Sequence, residues 1–297
     1  MSEARQRWRI VFARDEQARY LSHLDAVTQW ERAFRRGGIP VATTGGFNAR
    51  PKLVFAAPLE LGMLAEHELA DLYLAERLPA PDLRARLTAG MPAGYRVVDV
   101  HDVWVGAPAL APQLVAADYR VTLLGAEREE LASAAAGLLA SARLRRERRR
   151  EAKTIAYDLR PLIIDLQVRD ADPAAVAPDG VSAAVAVLWM RLRHSQERGS
   201  GRADEVVSAL ADELGLAAQA TPSAGEEGDQ ASPVEGSAGR ESAGPAPTLG
   251  PASGSPGLAR STIETVMAVR ERLWLDEELD ASQSCQRAAA PAATTGG

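Results

Sequence analysis

A chain of 297 residues, 46% hydrophobic and 25% charged, carries enough apolar material for one or two soluble globular domains. Its net charge of −6 argues against a wholesale polyanion binder while leaving room for a local basic face. The single cysteine, Cys285, excludes an internal disulfide, a cysteine-based zinc site and an iron–sulfur cluster.

The first residues, "MSEARQRWRIVF", lack the apolar core of a signal peptide, and no window reaches the roughly eighteen apolar residues of a membrane span. The expected setting is cytoplasmic, with no membrane contact. "RWRIVFA" alternates as a strand does, and "SHLDAVTQWERAFRR" has helical spacing with Leu24, Val27, Trp30 and Phe34 on one side. "IPVAT" is a short strand, "LVFAAPLEL" an extended piece, "ELADLYLAE" a strand, "APDLRARLTAG" a helix and "YRVVDVHDVWV" a strand. After the Pro-rich "GAPALAP" the order recurs: strand "DYRVTLL", helix "EREELASAAAGLLASARLRR", strands "KTIAYDLR" and "VSAAVAVLWMRLR", helix "ADEVVSALADELG" and strand "STIETVMAVRERLWL". Residues 217–257 are small, polar and rich in Gly and Pro, which predicts a flexible linker, and 281–297 predict a disordered tail. The predicted fold is α+β: two tandem ferredoxin-like (βαββαβ) units, 5–108 and 114–215 plus 258–278, with the long linker before the last strand.

Ser22, His23 and Asp25 are the side-chain types of a hydrolytic triad. On a helix, however, the adjacent Ser22 and His23 diverge by about 100°, and a nucleophile must hydrogen-bond its base. The residues fit a helix start instead, with Ser22 as N-cap, Asp25 closing a capping box and Gly37-Gly38 ending the helix.

The stretch "YLSHLDAVTQWERAFRRGGIPVATTGGFNARPKLVFAAPLELG" resembles the opening of the radical-SAM-linked family, a bacterial domain of uncharacterised function. Ser22, His23, Asp25, Glu31, Arg35, Gly46, Phe47, Asn48, Pro51, Lys52, Phe55, Pro58 and Gly62 fall on the matching positions. "YDLRPLI" and "GSGRADEVVSAL" resemble two later blocks of that family. Where its members carry Pro-His, this chain has Ala49-Arg50, which puts in doubt any chemistry that needs the histidine. The resemblance implies a partner, a radical-SAM enzyme with a cobalamin-binding module, and an accessory role in RNA modification or processing.

The chain itself lacks the three cysteines of a radical-SAM cluster, and no cofactor is indicated for it. His67 and His194 have no carboxylate or cysteine at ligand spacing, so no metal is expected either. The candidate binding residues are Phe47, Asn48, Arg50 and Lys52 in the Gly-rich loop 46–52, with Arg145, Arg146, Arg148 and Arg149 in "ARLRRERRREAKT". The loop offers donors and a stacking ring. The arginines offer forks for phosphate or form a solvated helix end. Arg160 is a further binding candidate, or pairs with Asp158 to fix a strand end. Three functions stay open: a non-catalytic accessory protein binding RNA, the partner enzyme or both; an enzyme acting through His23, Asp25 and loop 46–52; and a purely structural interaction module.

Overall fold

In β1 (Gln6–Arg14) alternation buries Trp8, Ile10 and Phe12 on one side of the strand and turns Arg7 and Arg9 to the other. A computed structural model of the chain describes residues 3–45, 49–150, 153–170, 185–219 and 262–279. Helix α1 (His23–Arg36) lays Trp30, Ala33 and Phe34 on the apolar side, and Trp30 meets Phe12 edge to face with centroids 4.8 Å apart. Strands β2 (Leu53–Phe55) and β3 (Leu64–Leu74), helix α2 (Ala80–Gly90) and strand β4 (Tyr95–Val103) follow. A Cβ on Gly90 would lie 2.5 Å from the Ala33 carbonyl oxygen, and one on Gly37 2.6 Å from that of Arg86. The two helices cross closely because glycine stands at both positions. The strands run β4–β1–β3 with β2 on β3, every pair antiparallel.

The second half holds β5 (Leu114–Leu124), α3 (Arg128–Ala140), β6 (Arg145–Arg150), β7 (Lys153–Asp158), β8 (Ile163–Asp170) and β9 (Val185–Ser195). It ends with β10 (Gly199–Ser200), α4 (Ala203–Glu213), β11 (Ala217–Gln219) and β12 (Thr262–Leu275). Its main strands run β8–β9–β5–β12, again antiparallel. The parallel pairs Val269↔Leu64 and Arg270↔Ala65 join β12 to β3. The described strands thus form one largely antiparallel sheet of ten, with β6–β7 a separate hairpin. The fold is α+β, as expected, but the strands of both halves share a single sheet.

Three local expectations are corrected. The arginine run continues no helix: α3 stops at Ala140, where Ser141 Oγ donates to the Gly137 carbonyl, and the arginines enter the hairpin β6–β7. "IPVAT" makes only the isolated bridges Val41↔Leu74 and Thr43↔Pro51, while "IIDLQVRD" forms a full strand, β8. Residues 217–219, taken as linker, form β11 and pair in parallel with Thr262–Glu264 of β12. The rest of the expected linker and the tail 281–297 lie outside the described residues. Among the described residues, no helix is long and apolar enough to cross a membrane.

Helices α1–α4 cover the same side of the sheet, and a single helical turn at 276–279 follows β12. Glu68 stands opposite Phe12, on the side taken by α1 and α2. Arg270 stands opposite Tyr119, whose side is packed by α3 and α4. Glu68 and Arg270 bond one another, each 2% exposed, so the two sides are one. Arg270 also donates to the Pro58 carbonyl at 3.1 Å. Burial opposes its charge, but the Glu68 carboxylate outweighs that and raises its pKa.

Removing one partner of such a pair leaves an uncompensated buried charge, at a cost of about 3–5 kcal/mol. Arg270→Met should therefore lower unfolding free energy by that amount in urea titrations, and adding Glu68→Leu should restore much of it. Equal losses in the single and double variants would show that the pair is not what Arg270 contributes.

Candidate functional site

Ser22 closes the first turn of α1. Its Oγ accepts from the Asp25 N–H at 3.2 Å and donates to Asp25 Oδ2 at 2.9 Å. The serine is bonded to the aspartate rather than to the histidine, so no triad forms. His23 is exposed, sets its ring edge against Phe55 at 5.5 Å, and has its pKa lowered by partial burial.

The base of loop 46–52 is tied by Thr44 N–H to the Arg50 carbonyl at 2.8 Å and by Arg50 N–H to Thr44 Oγ1 at 3.1 Å. Gly46, Phe47 and Asn48 lie outside the described residues. Arg50 is exposed, and Lys52 holds its amine 4.0 Å from the Tyr73 ring centroid. Tyr73 sits between Leu72 and Leu74, which face the helices, so alternation turns it to the helix-free side. Phe55, beside His23, belongs instead to the aromatic cluster of Phe12 and Trp30 on the helix side. His23 and Lys52 therefore address opposite faces of the sheet.

The arginine run divides by strand alternation. Arg146 pairs with Asp212 and Arg148 with Glu205, fastening the hairpin to α4. Arg145 is exposed, while Arg149 pairs with Thr154 in the backbone register and its side chain is outside the description. Arg160 is engaged by backbone: Nε donates to the Leu139 carbonyl at 3.0 Å and Nη1 to that of Ile163 at 2.9 Å, binding the end of α3 to β8. Asp158 accepts from the N–H groups of Leu144 and Arg160, so it fixes the turn without a side-chain pair to Arg160.

What the structure does bring together lies at the start of α4. Arg14 Nη2 donates to the carbonyls of Glu60 and Met63, and Arg270 to that of Pro58, so two buried arginines hold loop 56–63. The loop aims Glu60 Oε1 at Arg202 Nε, 3.0 Å away. A Cβ on Gly201 would lie 3.2 Å from the Leu162 carbonyl oxygen and from Leu192 Cβ, so "YDLRPLI" and "GSGRADE" meet in direct contact. Arg148 bridges them, 2.8 Å from Glu205 and 5.2 Å from the Tyr157 ring centroid.

Buried polar atoms concentrate here. Among the described residues, Tyr157 Oη, Glu205 Oε2, Arg202 Nε, Arg146 Nε and His194 Nδ1 have no hydrogen bond of good geometry. Burial raises the Glu60 pKa against the opposing pull of Arg202. Burial, with Glu205 second, raises that of Tyr157, and burial together with Arg270 lowers His194 to about 4. The cluster offers neutral donors and acceptors around a few fixed charges. Among the described residues, no group of three or more His, Cys, Asp or Glu is placed to hold a metal ion.

The helix-free side carries a second assembly. Arg191 pairs with Asp118 through two bonds of 2.7 and 2.9 Å and lies 5.5 and 4.6 Å from the ring centroids of Trp189 and Trp274. Arg169 stacks on Trp189 at 4.7 Å and Arg272 on Trp274 at 4.2 Å. "LWMRLR" and "RERLW" carried the signal for this surface, because large polar and aromatic residues alternate there with apolar ones.

The family model for an uncharacterized protein conserved in bacteria (DUF2344) matches residues 7–199. The chain belongs to that family. None of the curated proteins compared with it matches. The matched residues run from β1 to the start of β10, taking in Glu60, Tyr157, Arg191 and Trp189. In this family member Arg202, Glu205 and all of β12 lie beyond the match.

Ser22→Ala should cost about 0.5–2 kcal/mol of stability, read by thermal unfolding. An unchanged melting temperature would show that the cap contributes nothing.

For His194 the sign is fixed by its folded pKa of about 4, below the ordinary 6.5. Between those values the unfolded chain binds more protons, so stability is lost as pH falls from 6.5 towards 4. His194→Gln should flatten that limb by something on the order of 2 kcal/mol. His23, also lowered, gives a smaller slope of the same sign that persists in the variant. An unaltered pH–stability curve would mean that His194 is not held neutral.

Proposed function

We propose that the chain is a non-catalytic accessory protein of the cytoplasm. It binds RNA and works beside a radical-SAM enzyme with a cobalamin-binding module, in RNA modification or processing. The resemblance of the "SHLD" to "PLELG" stretch to radical-SAM-linked proteins supports the partner, and membership of an uncharacterized bacterial family is compatible with it. The observation that carries the choice of binding over catalysis is the separation of His23 and Asp25 from Lys52 by the thickness of the sheet. An enzyme working through both would need them in one cleft. The strand orders β4–β1–β3–β2 and β12–β5–β9–β8 support a reading as two ferredoxin-like units, 5–108 and 114–215 plus 258–278.

Phosphate contact falls to the exposed cations described at the hairpin. Arg143, Arg145 and Lys153 are exposed, whereas Arg146 and Arg148 are held by α4. Replacing Arg143, Arg145 and Lys153 with Ala should lower the slope of log affinity against log salt by about 2, at roughly 0.7 per contact on single strands. Replacing Arg146 and Arg148 should lower the melting temperature and leave that slope nearly intact. The assay is a salt titration of RNA binding on both variants. A loss of slope confined to the second set would reverse the assignment, and no binding at low salt would remove RNA from the proposal.

A further inference from the structure

We infer that the helix-free face of the second-half sheet is a stacking platform for single-stranded RNA, in which Arg169 and Arg272 present their guanidinium planes to nucleobases. This rests on the RNA reading above and names the surface and the form of RNA.

The platform has two tiers. The lower one is fixed: Arg191, its side chain 11% exposed, is bonded twice to Asp118 and lies between the indoles of Trp189 and Trp274. Trp189 is held further by its Nε1–H, which donates to Glu271 Oε2 at 3.2 Å. Strand β5 separates β9 from β12, which places the two rings about 10 Å apart across the sheet.

The upper tier is exposed. Arg169 is exposed and the Arg272 side chain is 48% exposed, and each lies on one indole. Among the described residues, Arg169 donates to Gln167 at 3.3 Å. The carboxylate paired with Arg272, on Glu278, is 3.7 Å away. Among the described residues, each guanidinium thus keeps most of its five donors without a partner, with its plane held against the ring it lies on. Close cation–π pairs occur roughly once per 70–80 residues, yet four fall on these two rings. An exposed stack of this kind adds little to stability, and Arg191 already packs on both indoles. A flat plane backed by an indole, with free donors at its edge, suits an unpaired base on the plane and a phosphate at the edge. Bases locked inside a duplex cannot reach it.

The test compares binding of a short unstructured oligouridine and of a duplex RNA to the full chain. The variants are Arg169→Ala/Arg272→Ala, which removes charge and plane, and Arg169→Lys/Arg272→Lys, which keeps the charge alone. Wild type should prefer the single strand, and both variants should lose roughly tenfold or more of that affinity while melting close to wild type. Wild-type binding with both variants within about twofold of it would overturn the platform and leave the RNA reading standing. Full affinity in the lysine variant would overturn stacking in favour of plain charge. Equal affinity for duplex would overturn the single-strand assignment, and no binding of either RNA at low salt would defeat the RNA reading itself.

Discussion

The guanidinium of Arg270 is out of water on every side, and the Glu68 carboxylate makes that position tolerable. The two groups are about two hundred residues apart in sequence, so meeting this one electrostatic demand fixes where the last strand must run. Beta12 is drawn between β3 and β5, and the halves close into one sheet. The same arginine reaches the Pro58 carbonyl, and with Arg14 it sets loop 56–63. From there the chain of dependence passes through Glu60 to Arg202 and the start of α4. The polar cluster at α4 therefore inherits its geometry from a buried ion pair in the sheet.

With α1–α4 on one side, the other side of the described sheet is covered by the connecting chain and by side chains. Part of it is roofed by the connection between the halves, where Arg7 donates to the Ala107 and Pro108 carbonyls while bonded to Asp71. Further along, it is built from large amphipathic groups that cover one another: Trp189, Trp274 and three arginines. Such side chains bury their planar bodies and keep polar edges wet, so they cover the apolar surface beneath them.

Much of the element order was legible in the sequence because alternation and helical spacing are local signals. Strand β1, helix α1 with its Ser22 cap, and helix α2 fall where those signals put them. The arginine run was not legible. Arginine is a good helix former and "RLRRERRR" carries no apolar alternation, so nothing local distinguishes a helix end from a strand. What decides is the acidic face of α4, where Glu205 and Asp212 take every second arginine. Loop 46–52 and the helix mouth looked like one site because they are close in sequence. The pleat sends Lys52 and His23 to opposite faces, and only pairing with β3 reveals which residue goes where.

The hardest feature to read in advance is a pair of bulges. In "RERLW", strict alternation would put Arg270, Arg272 and Trp274 on one face. Their partners on β5 are Tyr119, Asp118 and Ala116, so an extra residue, Glu271, is accommodated between Arg270 and Arg272. Arg270 then faces the helices and Glu68, while Arg272 and Trp274 face away. A second irregularity lies in β3, where Arg14 and Phe12 oppose Ala65 and Glu68. It turns Glu66 to the helix-free side, where it meets Arg120, and leaves Glu68 on the side of Arg270. Without both shifts the buried pair could not form and the arginine–tryptophan stack would lose a member. One residue of slip in each of two strands thus separates the side chain that holds the sheet together from those it presents to solvent.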